Sequence, residues 1–452
     1  MRMRISFVLL VGLGLLVTAW GQEKAKAPAT AVAKAAATAP SAEKLIEQLG
    51  DRDFQTREAA AKAIEALGPA ALPALKKAQG HSDPEVRRRT SAMIPGIERA
   101  AAFTPKRINL EIKNKPIKEA IAALTKQTGY KITINNDRGD NQVYSFAFGN
   151  TPFWEAFDKV CSTGGLVLQE YYGNDTQLYL WAQDSQVPYV HREGPFRTVA
   201  QGFYYSKNIN FGALPRNQVV PTSRSESMSF NVSVYVEPRL GILSLGQAKL
   251  TEAEDDKGGS LVPQQNNGFP GGGMQHSYYY GGNSRFHQQA SINVAPPSKD
   301  ARNVKIIKGT VPITLLVEKK PEVIVEKITT VKNKKFTVDK TELNIIEVSE
   351  PNRGQGKQYN VKLTITDKSK VGTNDYNWNN TIYQRIELQD AKGNKYMSNG
   401  MMEGSSSPGN MQGTFMFADW NGQNGPATKL VFYKWITMDY SVPFEFKNLP
   451  LP

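Results

Sequence analysis

The sequence predicts a multidomain α+β protein: a short helical region, a βα domain and two tandem antiparallel β-sandwiches. Three observations carry this prediction, namely a helical pattern that repeats at 30 residues, a strand-helix-strand pattern that repeats at 36 residues, and matched strand segments roughly 130 residues apart. The chain has 452 residues, 40% of them hydrophobic, which suits about two to four domains with cores of their own. It contains one cysteine, which excludes a disulfide-stapled class.

Residues 1–21 have the order of a secretory signal peptide. Two arginines precede an apolar run at 5–17, and small residues follow at Ala19 and Gly21. The run is shorter than the roughly 20 residues that span a bilayer, so cleavage after Gly21 is favoured over a membrane anchor. Residues 22–40 are mostly Ala, Lys, Pro and Thr, which predicts a flexible linker. We therefore expect an exported protein, periplasmic or extracellular, with no transmembrane segment after cleavage.

Residues 41–105 predict short helices arranged as two repeats. Asp53 and Arg57 recur as Asp83 and Arg87, a spacing of 30 residues. Asp is a common N-cap, so both positions are predicted helix starts. The region resembles HEAT-like repeats, which carry an Asp and an Arg in these places. Because a solenoid needs at least about three such repeats, the resemblance implies either a partner-binding cap or a structural spacer.

A second repeat covers residues 106–183. The segment at 114–121 is matched by the segment at 150–157, and the glycines that end the two helices, Gly129 and Gly165, keep the same spacing of 36 residues. Pro fits a first helical turn and Gly fits a left-handed helix end. Alternating strand patterns lie before and after each helix, so each unit is predicted to be strand, helix, strand.

The segment that opens each helix, Asn-x-Pro-hydrophobic-x-Glu-Ala, resembles the short N-terminal (STN) domains of secretins and TonB-dependent receptors. In those families such domains make protein–protein contacts in the periplasm and do no chemistry. The long downstream region of either family does not follow in this chain, so channel function does not carry over. The resemblance implies a periplasmic docking or ring-packing module.

After the βα domain, short alternating runs predict two immunoglobulin-like β-sandwiches, at 190–318 and 319–452. Three pairs of segments recur in the same order, which argues for a duplicated module. They are 230–236 with 359–365, 256–258 with 390–393, and 311–315 with 442–446. The acidic stretches at 252–256 and Asp390 lack the ligand series of a calcium loop, so hairpin turns are predicted there.

Residues 263–290 interrupt the first sandwich with Gly, Gln, Asn and Tyr, a composition that predicts a long mobile loop. Two interpretations stay open: a disordered insertion, or a loop that contacts a ligand through Tyr278, Tyr279 and Tyr280.

The sequence contains no catalytic motif, phosphate-binding loop or dinucleotide fingerprint, so no catalytic residue and no cofactor is predicted. Four histidines lie in predicted loops or at element ends, and no paired Cys, Asp or Glu offers His276 and His287 a metal set at usable spacing, so no metal site is predicted. The single Cys161 is expected to be a buried apolar residue. A pair of carboxylates for glycoside hydrolysis needs no motif, so a hydrolase with an unrecognised site remains a minor alternative.

We therefore expect a non-catalytic exported scaffold or protein–protein interaction protein of the bacterial cell envelope. The alternative is a carbohydrate- or cell-wall-binding surface protein that uses exposed aromatic rings. Alternation places Tyr433 and Trp435 on one strand face, which favours the core. The candidate rings are Tyr376, Trp378, Tyr383, Trp420, Tyr433 and Trp435, of which Tyr376, Trp378 and Trp420 are the predicted loop contacts.

The net charge of +13 is spread along the chain, and its densest part lies between Arg302 and Lys340. There lysines alternate with apolar residues, which puts them on the solvent face of a strand and discourages edge pairing. No aromatic-basic motif accompanies them, so a nucleic-acid partner is not expected. The charge suits solubility, with envelope proteins as partners and an anionic polysaccharide as a possible further one.

Overall fold

The computed structural model describes residues 41–136, 142–169, 177–183, 185–210, 223–263, 277–278, 286–351, 356–373 and 377–451. The predicted signal peptide, the linker and most of the loop at 263–290 lie outside the described residues. The chain divides into two compact units, Met1–Ala101 and Ala102–Pro452.

The first unit is helical. Leu49, Ile64 and Leu75 are fully buried in its apolar core. The helices are α1 (Ala42–Gln48), α2 (Phe54–Leu67), α3 (Leu72–Ala78) and the start of α4 (Pro84–Phe103), with one 3-10 turn at Gly68–Ala71.

The repeated Asp and Arg of this unit have structural roles. Arg57 Nη1 donates to the carbonyl oxygens of Asp51 and Arg52 at 2.8 and 3.0 Å. Arg87 Nη1 donates in the same way to His81 and Ser82 at 2.6 and 2.8 Å. Each arginine therefore closes the loop before its own helix, and both members of the repeat have the same local structure.

The next part of the chain, here called the βα region, contains two units of strand, helix and strand. Asn114 and Asn150 both adopt a left-handed backbone, with φ of 52° and 53°, two residues before the prolines that lead into the helices. The elements are β1 (Arg107–Pro116), α5 (Ile117–Thr128), β2 (Lys131–Asn136), β3 (Val143–Pro152), α6 (Phe153–Thr163), β4 (Leu166–Gln169) and β5 (Gln177–Ala182). β1 pairs antiparallel with β3, while β5 pairs parallel with β2 and antiparallel with β4.

The remainder is mostly β, in three largely antiparallel sheets. Their orders are β12-β8-β7-β6, then β11-β9-β13-β20-β17 with β10 also on β13, then β14-β15-β16-β19-β18. The strands are β6 (Val190–Glu193), β7 (Phe196–Asn210), β8 (Ser223–Val236), β9 (Gly241–Leu245), β10 (Lys249–Asp255), β11 (Ser277–Tyr278), β12 (His287–Val294), β13 (Asn303–Glu326), β14 (Lys334–Val338), β15 (Thr341–Ser349), β16 (Gln358–Asp367), β17 (Ile386–Asp390), β18 (Met397–Ser407), β19 (Asn410–Ala418) and β20 (Ala427–Pro450). A short helix, α7 (Asn377–Thr381), precedes β17.

Two long strands join the β sheets into one body. β13 and β20 have 24 residues each and pair antiparallel from Asn303 with Pro450 to Glu326 with Lys429. The first half of β13 and the second half of β20 contribute to one core with β8, which we call the first β region; the other halves contribute to a core with β16, the second β region. Each long strand thus begins in one β region and ends in the other. The predicted boundary between residues 318 and 319 falls inside β13.

The matched sequence segments correspond to the structure to different degrees. β8 and β16 are both central strands with two antiparallel neighbours. In contrast, the aligned Val311 and Val442 are direct cross-strand partners on the β13–β20 ladder. Their similarity therefore reflects neighbouring positions in one sheet, and it does not mark equivalent ends of two separate sandwiches.

Buried aspartates form the same turn in both β regions. Asp255 accepts hydrogen bonds from the backbone N–H groups of Lys257, Gly259 and Ser298 at 2.9, 2.8 and 2.7 Å. Burial alone would raise its pKa, but the bonds from Ser298, Gly259 and Lys257 prevail and hold the pKa at about 2.

The second turn repeats this arrangement around Asp390, which accepts from the backbone N–H groups of Lys392, Asn394 and Gly425, each at 2.9 Å. Here too the hydrogen bonds outweigh burial, and the pKa of Asp390 is about 2. The carboxylate oxygens are thus engaged by the chain itself, as expected of the predicted hairpin turns.

Candidate functional site

A cleft lies at the junction of the βα region and the first β region; we call it the junction cleft. Its volume is about 340 Å³, at the lower end of the range of ligand-binding pockets. Helix α6 and strand β4 form one wall, and the segment at 185–190 with β6 forms the other. The lining residues are Glu155, Phe157, Asp158, Lys159, Cys161, Ser162, Leu166, Val167, Leu168, Ser185, Gln186, Val187, Val190, Arg192 and Arg197.

Two arginines share one carboxylate in this cleft. Arg192 Nε donates to Asp158 Oδ2 at 2.6 Å, and Arg197 Nε donates to Asp158 Oδ1 at 2.9 Å. The side chain of Arg197 is 4% exposed, whereas that of Arg192 is 36% exposed. The guanidinium of Arg197 also lies 5.0 Å from the ring centroid of Tyr235 and 5.8 Å from that of Trp154. Cation–π contacts therefore help to hold it in a site that excludes most water.

A tight hairpin between β6 and β7 brings Arg192 and Arg197 next to each other. β6 and β7 are joined by a turn at Gly194, whose φ is 56°, so Arg192 and Arg197 become directly paired residues on adjacent strands. Asp158 reaches them from α6. Trp154 of the same helix donates through Nε1 to the carbonyl oxygen of Pro195 at 2.9 Å. This hydrogen bond holds the helix against the turn.

The floor of the cleft is apolar and includes the only cysteine. Cys161 is 6% exposed, which agrees with the predicted buried role. Burial raises the pKa of its thiol, and the nearby negative charge of Asp158 adds to this effect. The thiol is therefore held in its neutral, poorly nucleophilic form.

A fully buried carboxylate joins the βα region to the first β region. Glu237, at the end of β8, accepts from Tyr130 Oη at 2.6 Å, from the backbone N–H of Lys106 at 3.0 Å and from Arg239 Nε at 3.0 Å. Arg239 Nη2 also donates to the carbonyl oxygen of Thr104 at 2.6 Å. Burial raises the pKa of Tyr130, and the charge of Glu237 adds to the shift, so the phenol stays protonated as a donor. The βα region and the first β region consequently share one continuous apolar core around a satisfied polar centre.

A second surface feature is a two-stranded extension of the first β region. β7 pairs with β6 only as far as Val199, and β8 pairs with β12 only from Met228 onward. Residues 204–210 and 223–227, which we call the arm, continue beyond these neighbours. Among the described residues, the outer part of the arm pairs only within itself, so both of its edges present unpaired backbone groups.

The arm exposes large side chains. Tyr204, Tyr205 and Ile209 are 65%, 40% and 46% exposed. By strand alternation Tyr205 and Ile209 lie on the same side as Phe203, which packs on the apolar core. Tyr205 and Ile209 therefore extend this face outward along the arm, with Lys207 between them, and lack cover among the described residues.

An apolar groove lies at the base of the arm. It has a volume of about 310 Å³, and a β-bulge at Ala200–Gly202 interrupts the strand beside it. The ring centroids of Phe203 and Phe230 are 5.0 Å apart at its floor. The other lining residues are Tyr189, Ala200, Gln201, Gly202, Leu449, Pro450 and Leu451.

Of the sequence-predicted contact residues, Trp378 and Trp420 have side chains that the structure describes. Trp420 is 56% exposed, but Trp378 is only 5% exposed and packs in the core of the second β region. Trp378 was expected in an exposed loop because asparagines surround it; it lies instead in α7, with its ring turned into the core. Tyr376, Tyr279 and Tyr280 lie outside the described residues, and Tyr278 is described only by its backbone in β11.

The other aromatic candidates are partly or fully covered. Tyr383 and Tyr433 are half-buried, and Trp435 is 6% exposed with the guanidinium of Arg385 at 4.9 Å from its ring centroid. The described part of the predicted carbohydrate platform is thus reduced to one ring, Trp420. No group of three potential metal ligands occurs within the described ranges.

Sequence reasoning missed the cleft and the arm. The pair Arg192 and Arg197 flanks a Gly-Pro turn, so hairpin register could have placed them side by side. The alternating segment from Phe203 to Ile209 carried a signal of an apolar strand face as well. Asp158 is 34 and 39 residues away from its two arginine partners, and its local sequence does not predict these contacts.

Comparison with known proteins gives no family: the chain matches no protein-family model, no curated protein and no solved structure. In the part of the chain that the structure describes, no helix has the length and apolar character to cross a membrane.

Proposed function

We propose that the protein is a non-catalytic, exported scaffold of the bacterial cell envelope that binds a partner protein through the arm. The observation that carries this proposal is the arm itself, where unpaired strand edges adjoin an uncovered apolar face. Two strands alone are marginally stable in water, and an added strand from a partner would satisfy the open edge. The occupant we propose is therefore an extended segment of a partner protein, with apolar side chains on Tyr205 and Ile209.

Among the arm side chains that the structure describes, the charges of Lys207 and Glu226 balance each other. Lys207 Nζ lies 3.7 Å from Glu226 Oε2, and Tyr205 Oη donates to the same carboxylate. These opposite charges lie on adjacent strands and neutralise each other. An apolar partner segment would meet no unbalanced charge among these three side chains.

The finer architecture is part of the same proposal. We propose that the helical unit is HEAT-like, that the βα region is a domain of the secretin and TonB short N-terminal type, and that the β regions are immunoglobulin-like. The matching conformations of Asn114 and Asn150 support a duplicated βα unit. The equivalent turns at Asp255 and Asp390 support a duplicated β module. Each of these domain types suits docking, and the sequence features of residues 1–21 support a periplasmic or extracellular location.

Site-specific photo-crosslinking in cells tests the proposal. A crosslinking residue at position 209 is compared with one at Val371, which is 55% exposed and lies outside the arm. We expect a discrete protein adduct from position 209 alone. The captured protein is then purified, and its affinity is measured for the wild type, for Ile209→Asp and for Val371→Asp.

Ile209→Asp should weaken binding at least about tenfold, because a charge would enter an apolar contact, and Val371→Asp should leave it unchanged. Equal adducts at both positions, or equal affinities for all three proteins, would overturn the proposal. Binding to glycans without any adduct at position 209 would favour the carbohydrate alternative, for which exposed Trp420 is the observation.

A further inference from the structure

The junction cleft has an excess of positive charge. Three of its charged lining residues are cations, Lys159, Arg192 and Arg197, and two are anions, Glu155 and Asp158. Glu155 and Lys159 lie at the exposed mouth, so the deeper part holds two arginines against one carboxylate. That part therefore carries one net positive charge in surroundings that are partly shielded from water.

Both arginines line this space and have more hydrogen-bond donors than Asp158 uses. Arg197 uses only Nε towards Asp158, and Arg192 uses Nε and Nη2. Both Nη groups of Arg197 and Nη1 of Arg192 make no hydrogen bond to another described residue. The side chain of Arg197 is only 4% exposed, so a ligand in the cleft would compete with little water for its remaining donors.

We propose that the junction cleft binds an apolar organic carboxylate. The carboxylate would accept hydrogen bonds from the Nη groups of Arg197 and from Nη1 of Arg192, in the planar geometry that guanidinium groups favour. Its apolar substituent would lie on Phe157, Leu166 and Val187. A single residual positive charge and an apolar floor suit a monoanion better than a phosphate, which carries more charge and needs more donors.

Two sources could supply this chemistry. A small carboxylic acid could enter by itself, or the last residue of a peptide could enter with its free C-terminal carboxylate. The volume of about 340 Å³ suits a ligand of one-residue size in either case. This inference does not depend on the arm, because the cleft and the arm share no residues.

Binding is measured by saturation-transfer NMR and calorimetry on the full chain without residues 1–21. The probes are hexanoate, N-acetyl-leucine, a tetrapeptide that ends in leucine with a free carboxylate, the same peptide as an amide, and inorganic phosphate. We expect saturable binding of at least one carboxylate probe, and no binding of the amide or of phosphate. If N-acetyl-leucine binds as tightly as the free peptide, the source is a small acid; if the peptide binds tighter, it is a chain terminus.

Arg192→Met should weaken that binding about tenfold or more, because a charge-assisted hydrogen bond is lost. Arg192 is partly exposed, so this variant should fold, and Val187→Asp offers a second test by adding a negative charge at the mouth. The matched control is Arg107→Met, which removes an exposed arginine outside the cleft. Failure of every carboxylate probe to bind at millimolar concentration, equal binding of the amide, or unchanged affinity in both cleft variants would overturn the proposal.

Discussion

The two β regions have similar central strands, but these strands differ in how much of their length is paired on both edges. Each has a central strand between two antiparallel neighbours, β8 in the first and β16 in the second, and each has a turn fixed by a buried aspartate. β16 is paired with β19 from Gln358 to Thr366 and with β15 on its other edge, so its length is covered on both sides. β8 has a neighbour on its second edge only from Met228 onward.

Strand length produces this difference. β7 and β8 have 15 and 14 residues, whereas β15 and β16 have 9 and 10. The added residues of the first region cannot be covered by its shorter neighbours, and they become the arm. The central strand of the second region is therefore paired along both edges, whereas that of the first region continues into the arm with an open edge.

The largest expected effect is a loss of stability at Glu237, which joins the βα region to the first β region, compared with Thr366 in the second β region. Replacing Glu237 with Ala should lower the free energy of unfolding by about 3–5 kcal/mol, because Tyr130 Oη, Arg239 and the N–H of Lys106 lose their buried acceptor. Thr366, the residue of β16 that aligns with Glu237, is half-buried, and its replacement with Ala should cost less than about 1 kcal/mol. Urea unfolding measures both. Equal losses would contradict the junction role of Glu237.

The turns at Asp255 and Asp390 should lose stability to a similar degree when the aspartate is replaced. Asp255→Asn replaces one acceptor oxygen by an amide nitrogen and should cost about 1–3 kcal/mol, because a buried N–H loses its partner. Asp390→Asn should shift the urea midpoint in the same direction. Asp256→Ala is the control, since this exposed carboxylate accepts only long bonds of 3.2 and 3.3 Å from the N–H of Arg302. A response from only one turn would show that the two β regions are not equivalent there.

Acid should weaken both β regions through these carboxyls. Their pKa of about 2 in the folded chain is below the ordinary value, so their ionised forms add stability that is complete above roughly pH 4 and is lost as the pH falls through about 2. We expect the urea midpoint to fall over this interval. The Asp255→Asn and Asp390→Asn variants should show a shallower fall, and an unchanged slope would contradict the pKa assignment.

The smallest expected effect concerns the arm. Ile209→Asp should change the free energy of unfolding by no more than about 0.5 kcal/mol, because Ile209 is already 46% exposed. Ile345→Asp, in the buried face of β15, should be strongly destabilising by comparison. If Ile209→Asp were as damaging as Ile345→Asp, Ile209 would belong to the core and would not be available to a partner.

The features that could be predicted from the sequence are local ones. The left-handed Asn114 and Asn150, the prolines after them and the helix-ending Gly129 depend on adjacent residues, so a repeated phrase reveals a repeated backbone. The alternation along β13 similarly reveals which lysines are outside, and Lys305 pairs there with Glu254 at 2.9 Å.

The features that could not be predicted depend on distant pairing. Val311 and Val442 look like equivalent positions in sequence, but only the sheet register shows that they face each other. Trp378 has loop-like neighbours, yet the apolar core of the second β region provides enough burial to override them. The arm is defined by where β6 and β12 stop pairing, which no segment encodes alone.

Hydrogen–deuterium exchange of the full chain, free and with the purified partner, tests the central claim most directly. In the free chain we expect the arm amides at 206–210 and 223–227 to exchange at least about tenfold faster than those of β16, because only two strands protect them. Saturating partner should slow exchange in the arm and leave β16 unchanged. Protection confined to the second β region, or an arm unaffected by saturating partner, would contradict the account.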